Sequence, residues 1–443
     1  MFRFKKCTVF AAAILSAFIM TGCSLGMSVE SLLSSPRLSE EQIELYDALK
    51  NSVNKNIILK YPKGGEYRSA FVIKNIDSEP TDEAIVFYEI NGESEGEGNV
   101  RINILDQNNG KWVSVYDHTG TGTEIDRIMF EPLGNTDTVN IFIGFNTLSQ
   151  NEKIISIYRY SDGILNQLFT SEYDAYYVMD IDNDSMNELA LIYDDSKTMQ
   201  RYAALIDNKN DDLYQADNVL LTPDSGKFTN ICWGYIGNST PALYIDSLTG
   251  MNQLVTEIIY CVNGKLRNPF YPQEIISHDK VTRPAGYYSV DIDSDGVVEI
   301  PTLTEFPGYN DRNEKLYITN WSVFENYSMV KKFSGYYNPD AGYCFMLPSR
   351  WDGIVTAKTD PATGEVVFCK YENSLDDSTT ELMRISTVKN SGEYNYSANE
   401  NDGYDRIRTT SDTIYLFKVP ADSDEPLILT SSEIKNNFYV VSK

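Results

Sequence analysis

Two short acidic segments carry carboxylates at a spacing that suits calcium. In each, the acids stand at positions 1, 3, 5 and 9, between two apolar, β-rich runs. Calcium is a hard ion that takes about 6–8 oxygen ligands, and acids at alternate positions of a turn can face one centre. The predicted metal ligands are Asp180, Asp182, Asp184 and Glu188 in one segment and Asp291, Asp293, Asp295 and Glu299 in the other.

A third, weaker copy occurs nearer the start of the chain. Its predicted ligands are Asn75, Asp77, Glu79 and Glu83. An EF-hand would need glutamate at position 12, where the two strong copies have Leu191 and Thr302. The pattern therefore predicts a structural calcium loop between two strands. The alternative is a solvated acidic turn, because Asp, Asn and Ser favour turns without any ion.

The elements that must position these loops are strands that recur along the chain. Five units can be superposed, and their first strands are predicted to begin near residues 70, 127, 175, 228 and 286. Each unit also contains a hairpin around a tight polar turn, such as Asn109-Gly110 or Asp162-Gly163, and such dipeptides are strong hairpin signals. A period of roughly 50 residues with four strands predicts the blades of a β-propeller.

On these residues the chain resembles the FG-GAP/VCBS family of integrin-like propeller repeats, over about residues 65–335. The resemblance implies calcium held at the loops, on one rim of a β-propeller. The sequence departs from the family at Ser185, where glycine is usual, and in having glutamate instead of aspartate at position 9. The five units leave open a ring of five blades or of six to seven. A pair of Greek-key sandwiches is the competing architecture.

The N-terminus is typical of an exported protein. Residues 1–22 have a basic start, a short apolar run and small residues before Cys23. This pattern predicts a secretory signal peptide that is too short to span a membrane. The segment also resembles the lipobox of bacterial lipoproteins, which implies cleavage before Cys23 and lipidation of its thiol, with palmitate among the acyl groups. The chain would then be lipid-anchored on the extracytoplasmic face of the cell membrane. The alternative is an incidental cysteine in a secreted protein.

The remaining chain divides into four predicted parts. Residues 23–38 form a flexible tether, and residues 39–56 form an amphipathic helix that begins with a capping box. Residues 57–335 form the propeller domain. Crowded turn residues after this point predict a boundary, and residues 336–443 form a small α+β domain. The predicted fold class is thus mainly β, with a propeller of about five four-stranded blades, one helix before it and a small α+β domain after it.

Charge and cysteine content narrow the classes of partner. The formal net charge is −27, so we do not expect the chain to bind nucleic acid by neutralising its phosphates. Two pairs of cysteines could form disulfides outside the cell, and buried free thiols are the alternative. These pairs are Cys232 with Cys261 and Cys344 with Cys369.

The sequence carries no recognised catalytic motif. It lacks a nucleophile elbow, a Walker loop and the HExxH pattern, and it has only two histidines. The predicted function is therefore a non-enzymatic binding or scaffold module for a protein or a glycan. One alternative is a hydrolase or lyase acting on extracellular polysaccharide, which would need carboxylates other than the metal ligands. Another is a sensor or assembly subunit of an envelope complex.

Overall fold

The structure of the chain is a computed structural model. It describes residues 38–92, 99–134, 138–149, 152–210, 212–223, 226–237, 239–272, 274–391, 403–421 and 424–441. The predicted signal peptide, Cys23 and the tether up to residue 37 lie outside the described residues. Within the described ranges, no helix has the length and apolar character needed to cross a membrane.

Among the described residues, one helix precedes the sheets. Helix α1 (Glu40–Val53) begins at Ser39, whose side chain accepts a hydrogen bond from the backbone N–H of Gln42. The Gln42 side chain accepts one in return from the backbone N–H of Ser39, which completes the capping box. Asn54 ends the helix in the left-handed conformation, with φ 51°. The buried face of α1 packs against the first sheet.

Strands β1–β13 form three antiparallel sheets in chain order, here called sheets 1, 2 and 3. Sheet 1 contains β1 (Ile57–Leu59), β2 (Phe71–Lys74), β3 (Glu83–Ile90), β4 (Arg101–Asn108) and β5 (Lys111–Thr119). Sheet 2 contains β6 (Glu124–Glu131), β7 (Asn140–Asn146), β8 (Lys153–Ser161) and β9 (Ile164–Glu172). Sheet 3 contains β10 (Ala175–Met179), β11 (Glu188–Asp195), β12 (Gln200–Lys209) and β13 (Asp212–Leu220).

Three further sheets follow. Sheet 4 contains β14 (Phe228–Ile236), β15 (Thr240–Leu248), β16 (Gln253–Val262), β17 (Lys265–Arg267) and β18 (Arg283–Pro284). Sheet 5 contains β19 (Ile300–Glu305), β20 (Tyr317–Glu325), β21 (Ser328–Asn338), β22 (Tyr343–Met346) and β28 (Phe438–Val440). Sheet 6 contains β23 (Val355–Thr359), β24 (Val366–Lys370), β25 (Glu381–Lys389), β26 (Asp405–Thr409) and β27 (Thr413–Lys418). Helix α2 (Ser431–Asn436) precedes β28.

Consecutive sheets share their cores. Apolar clusters join sheet 1 to sheet 2, sheet 2 to sheet 3, sheet 3 to sheet 4 and sheet 4 to sheet 5. In β3, Ile85 and Phe87 face sheet 2, whereas Val86 and Tyr88 face α1. Within the described parts of the chain, no such cluster combines side chains of sheets 1 and 5. The mainly β fold is confirmed, and the blade count and ring closure stay predictions.

The sheets repeat in detail as well as in strand order. Four hairpins each contain a β-bulge at the same register relative to the strand before the hairpin. These hairpins are β4–β5, β8–β9, β12–β13 and β20–β21. The residues left without a partner there are Val115, Leu168, Ala216 and Lys332. Because bulges are specific features rather than random defects, sheets 1, 2, 3 and 5 are copies of one structural unit.

Sheet 5 crosses the boundary predicted at residue 335. Strand β21 runs through this position, and β22 and β28 from the predicted α+β domain complete the same sheet. The turn residues interpreted as a linker close the β21–β22 hairpin, where the N–H groups of Ala341 and Gly342 bond to Asn338. Sheet 6 then packs on sheet 5 around Phe345 and Phe368. The last part of the chain therefore shares a sheet and a core with the repeats.

All four cysteines among the described residues are free thiols. Cys261, Cys344 and Cys369 are buried, and Cys232 is half-buried. They pack among apolar side chains of the inter-sheet cores, where burial raises the pKa of the Cys344 thiol to about 12. The structure therefore has the buried thiols that were the alternative to disulfides.

A buried ion pair joins two strands of sheet 4, β15 and β18. The Asp246 carboxylate accepts a hydrogen bond from Arg283 at 2.7 Å, and both side chains are 0% exposed. The same carboxylate also accepts from the Thr256 hydroxyl and from the backbone N–H and hydroxyl of Ser289. Burial alone would raise the pKa of Asp246, but Arg283 and these donors outweigh it and hold the pKa below its usual value.

Replacement of Asp246 should therefore destabilise the fold strongly. Asp246→Ala leaves the Arg283 guanidinium buried without its counter-ion, and we expect a loss of about 3–5 kcal/mol in the free energy of unfolding. Urea denaturation followed by tryptophan fluorescence measures the loss. The matched control is Asp376→Ala, which breaks an exposed pair with Arg312 and should cost at most about 1 kcal/mol. Equal losses in the two variants would contradict the prediction.

Candidate functional site

The three acidic segments occupy equivalent places in alternate sheets. Loop 1 (residues 75–83) joins β2 to β3, loop 3 (residues 180–188) joins β10 to β11, and loop 5 (residues 291–299) leads into β19. In an antiparallel sheet, successive connections alternate between the two ends of the strands. The three loops therefore lie at the same end of their sheets, as the repeat pattern predicts.

The side chain at position 1 folds back onto its own loop. In loop 3, Asp180 accepts hydrogen bonds from the backbone N–H groups of Asp184 at 3.0 Å and Ser185 at 2.9 Å. Asp291 makes the same two bonds in loop 5, and Asn75 accepts one such bond in loop 1. These bonds hold the turn closed, so the other acids point to a common centre.

Each turn depends on left-handed backbone at position 4. Ser78, Asn183 and Ser294 have φ of 68°, 66° and 64° there, a region in which short polar residues are tolerated better than bulky ones. At position 6, Gly296 has φ 88° and Ser185 has φ 73°. Ser185 thus adopts the left-handed conformation that Gly296 has in loop 5, so the serine leaves the turn intact.

The glutamate at position 9 closes each loop from the start of the next strand. Glu83, Glu188 and Glu299 are 1%, 2% and 0% exposed. Each accepts a hydrogen bond from the backbone N–H of the isoleucine at position 2, at 2.9–3.1 Å. Since that isoleucine is itself buried, both ends of the loop are fixed to the core between the sheets.

Glu83 and Glu188 are buried with acids as their charged neighbours. Burial, with the charge of Asp182, raises the pKa of Glu188 to about 8. Burial and the charge of Asp77 raise the pKa of Glu83 to about 7, and one oxygen of that carboxylate is buried without a hydrogen-bond partner. A carboxylate in such surroundings is stabilised by a cation, because an opposite charge nearby favours its ionised form.

The structure brings together three acids in each strong loop. The closest ligand oxygens of Asp180, Asp182 and Glu188 all lie within 4.8 Å of one another, and those of Asp291, Asp293 and Asp295 do the same. Asp184 instead uses an oxygen to cap the N–H of Met186, and Glu299 lies outside the group of loop 5. An all-oxygen set of this size fits calcium better than a softer metal.

Loop 1 assembles less completely. No group of three acids forms there in the part of the chain that the structure describes. Asn75 and Asp77 spend side-chain oxygens on bonds within the turn, to the N–H groups of Ser78 and Glu79. Of the four residues predicted for this loop, Glu83 is the one with a buried oxygen left over.

A lysine from another strand, which the sequence pattern did not predict, contacts loop 5. The Lys332 ammonium lies 2.8 Å from Asp293, 2.6 Å from Asp295 and 2.8 Å from Glu299. Lys332 belongs to β21, and it reaches the loop because it is the bulge residue of that strand. The fixed spacing within the loop gives no sign of it, since its position depends on how the strands of sheet 5 pair.

Two clefts lie at the opposite ends of the sheets from the acidic loops. Cleft A has a volume of about 530 Å³ and lies between sheets 1 and 2, where Lys60 pairs with Glu89 and Glu124. Cleft B has a volume of about 400 Å³ and lies between sheets 2 and 3. Its charged lining residues are Glu152, Lys153, Glu172, Asp174, Asp194, Asp195 and Arg201.

Cleft B contains two acids in contrasting environments. Arg201 donates two hydrogen bonds to the Asp194 carboxylate, at 2.6 and 3.1 Å. Desolvation within the cleft and the charge of Asp194 raise the pKa of the neighbouring Asp174. A carboxyl with a raised pKa beside a second carboxyl group that an arginine holds is an arrangement that can serve acid–base chemistry. Sequence reasoning missed this pair, because it depends on the packing of two sheets.

Three tyrosines close in sequence to loops 3 and 5 pack inside the fold. Tyr176 stacks on Phe142, and Tyr287 packs edge-on against Tyr337. The Tyr177 hydroxyl donates to the backbone carbonyl of residue 231 at 2.7 Å. These contacts support packing between sheets as the role of these rings.

No family model matches the chain, and no curated protein matches it. Among solved structures, it is similar to the exotype rhamnogalacturonan lyase YesX, with a TM-score of 0.27, 11% identity and coverage of 70% of this chain and 72% of that one. It is similar to Bacillus licheniformis rhamnogalacturonan lyase PL11, with a TM-score of 0.27, 11% identity and coverage of 70% and 74%. It is also similar to the GH43 β-1,3-galactosidase BT3683, with a TM-score of 0.27, 9% identity and coverage of 62% and 96%. Likenesses of this size assign no activity to the chain.

The raised pKa of Glu188 predicts how stability changes with pH when no divalent ion is present. Its pKa rises from the ordinary value of 4.5 to about 8 in the folded chain, so the folded state binds this proton more tightly than the unfolded state does. The contribution is fully present below about pH 4.5 and is lost as the pH rises towards 8. In chelator, Glu188→Gln should therefore lose less thermal stability than the wild type between pH 5 and pH 8.

Thermal unfolding at the two pH values measures this difference. Glu325→Gln is the matched control, since Glu325 is an exposed glutamate at the end of β20, and it should follow the wild type. The prediction fails if Glu188→Gln and Glu325→Gln show the same pH dependence.

Proposed function

We propose that this chain is a lipid-anchored, extracytoplasmic binding module built on a calcium-stabilised β-propeller of about five blades. The observation that carries the proposal is the recurrence of one loop geometry in sheets 1, 3 and 5. In each of them the position-1 side chain closes the turn and a buried position-9 glutamate ties it to the next strand. Consecutive packing of sheets 1 to 5 supports the propeller.

Loop 3 is the best candidate for the calcium site. Asp180, Asp182 and Glu188 would hold the ion through carboxylate oxygens, which already lie within 4.8 Å of one another. Bound calcium would neutralise these charges and connect the turn to the first residue of β11. Its role would thus be structural, since it stiffens the junction between two strands rather than acting on a substrate.

The binding surface would be the end of the sheets that carries clefts A and B. Both clefts lie at junctions between consecutive sheets and have charged walls of both signs. Such surfaces suit a polar partner, either a protein or a glycan. The predicted anchor at Cys23 would hold this module at the cell surface.

Calcium titration tests the first part of the proposal. Isothermal calorimetry of the chain that begins at residue 23 should detect calcium binding, and Asp182→Ala should weaken that binding at least about tenfold. Asp212→Ala is the matched control, because Asp212 is exposed and lies at the start of β13, outside the loop. Absence of binding by the wild type, or equal binding by Asp182→Ala, would overturn the proposal.

A hydrolase or lyase acting on polysaccharide is the second candidate, and cleft B is the observation that favours it. Its acids belong to none of the metal loops, and Asp174 has a raised pKa beside the carboxylate that Arg201 fixes. Glycoside hydrolysis uses two carboxyl groups, one of which is the general acid that protonates the leaving group. Asp174 would be that acid, and Asp194 would be its ionised partner.

Binding and turnover can be separated on one set of polysaccharides. The wild type and Asp174→Asn are incubated with each polymer, and both retained polymer and released reducing ends or unsaturated products are measured. A binding module retains polymer without releasing product in either variant. An enzyme of the proposed kind releases product as the wild type, while Asp174→Asn still binds and releases at most about 1% as much, in line with loss of a general acid.

A further inference from the structure

Loops 3 and 5 have the same geometry but face different bulge residues. The bulge residue, which has no partner on the neighbouring strand, is Ala216 in β13 and Lys332 in β21. The two residues occupy the same register relative to the position-9 glutamate of their sheet. Sheets 1 and 2 have Val115 and Leu168 there. Sheet 5 is therefore the one copy among these four in which the bulge residue carries a charge.

The Lys332 ammonium takes up the centre of loop 5. It contacts three carboxylates at 2.6–2.8 Å, which are the distances of strong charge-assisted hydrogen bonds. Two of them, Asp293 and Asp295, belong to the group of three acids that could hold a metal ion. The third, Glu299, is completely buried. An ammonium is a compact point charge with three donors, and this one donates to Asp295 and Glu299 and forms an ion pair with one oxygen of Asp293, whose other oxygen is buried without a partner.

We propose that Lys332 is the resident cation of loop 5, so that calcium binds at loop 3 but not at loop 5. The inference rests on the proposed calcium function of loop 3. It assigns different chemistry to two loops that look alike in sequence. A lysine inside the chain is held at all calcium concentrations, whereas a bound ion is lost when calcium is removed.

The ion pairs of the two loops agree with this assignment. Lys332 lies within 2.8 Å of three acids of loop 5. The charged groups around Glu188 in loop 3 are instead the carboxylates of Asp180, Asp182 and Asp184.

Exchange of the two bulge residues tests the inference. Calcium stoichiometry is measured by equilibrium dialysis on the chain that begins at residue 23, as wild type, Lys332→Ala and Ala216→Lys. Lys332→Ala should gain one calcium per chain, because its three acids lose their cation. Ala216→Lys should lose one, because a lysine at that register reaches loop 3. The matched control Lys331→Ala changes the exposed neighbouring residue of β21 and should leave the stoichiometry unchanged.

Thermal unfolding gives a second readout that does not require the variant to be stable without metal. In chelator, Lys332→Ala should unfold at a lower temperature than the wild type, and calcium should restore most of the difference. The inference is overturned if Lys332→Ala gains no calcium and calcium fails to stabilise it. It is also overturned if Asp293→Ala removes a calcium ion from the wild-type chain.

The same measurements separate this inference from the proposed function. If the wild type binds calcium through Asp182 and Lys332→Ala adds no site, the assignment of Lys332 is wrong and the calcium function of loop 3 stands. If the wild type binds no calcium and Lys332→Ala binds one ion, the function proposed for loop 3 is wrong and Lys332 is the cation of loop 5.

Discussion

A buried glutamate at the start of a strand is the contact on which each acidic loop depends. Glu83, Glu188 and Glu299 accept the N–H of the isoleucine seven residues earlier, and that isoleucine packs in the core between sheets. The loop is therefore fixed at both ends by the core, and its exposed acids converge as a result. This arrangement has an electrostatic cost, because a buried carboxylate is unfavourable unless it is paired or protonated.

The fold meets that cost in more than one way. In sheet 4, which has no acidic loop, Asp246 is neutralised by Arg283 and by hydroxyl and amide donors. In loop 5 the cation is Lys332. Buried Glu257 has only neutral donors on one oxygen, from Thr222 and Asn268, so burial leaves its pKa raised.

Loop 3 differs from all of these, since the Glu188 carboxylate shares its surroundings mainly with other acids. It is therefore the place where an external cation has most to contribute. In a chain with a formal charge of −27, each neutralised carboxylate also reduces the repulsion that opposes folding.

The features that sequence reasoning predicted are local ones. The hairpin turns at Asn109-Gly110 and Asp162-Gly163 lie where expected, because the dipeptide itself prefers that backbone. The loop acids were found because their spacing is fixed within nine residues. Lys332 was missed for two reasons. It contacts Glu299 from 33 residues away in the sequence, and it does so from a bulge, which the pattern of a single strand does not reveal. The turn residues after residue 335 lie in the β21–β22 hairpin of sheet 5, which the sequence did not indicate, because Asn338 and Gly342 would look the same in a linker as in a hairpin.

The ends of the sheet series bear on how a ring would close. Alternate residues of β3 face sheet 2 and α1, so α1 covers the face of sheet 1 that a fifth blade would otherwise meet. Sheet 6 packs on the same face of sheet 5 as sheet 4 does, because Tyr336 and Phe345 lie on the side of Ile300. The opposite face of sheet 5, with Trp321 and Tyr337, forms a separate cluster that contains no side chain of sheet 6 among the described residues. Helix α1 thus covers apolar side chains of sheet 1 that would otherwise be exposed, which explains why it belongs to the fold of the repeats.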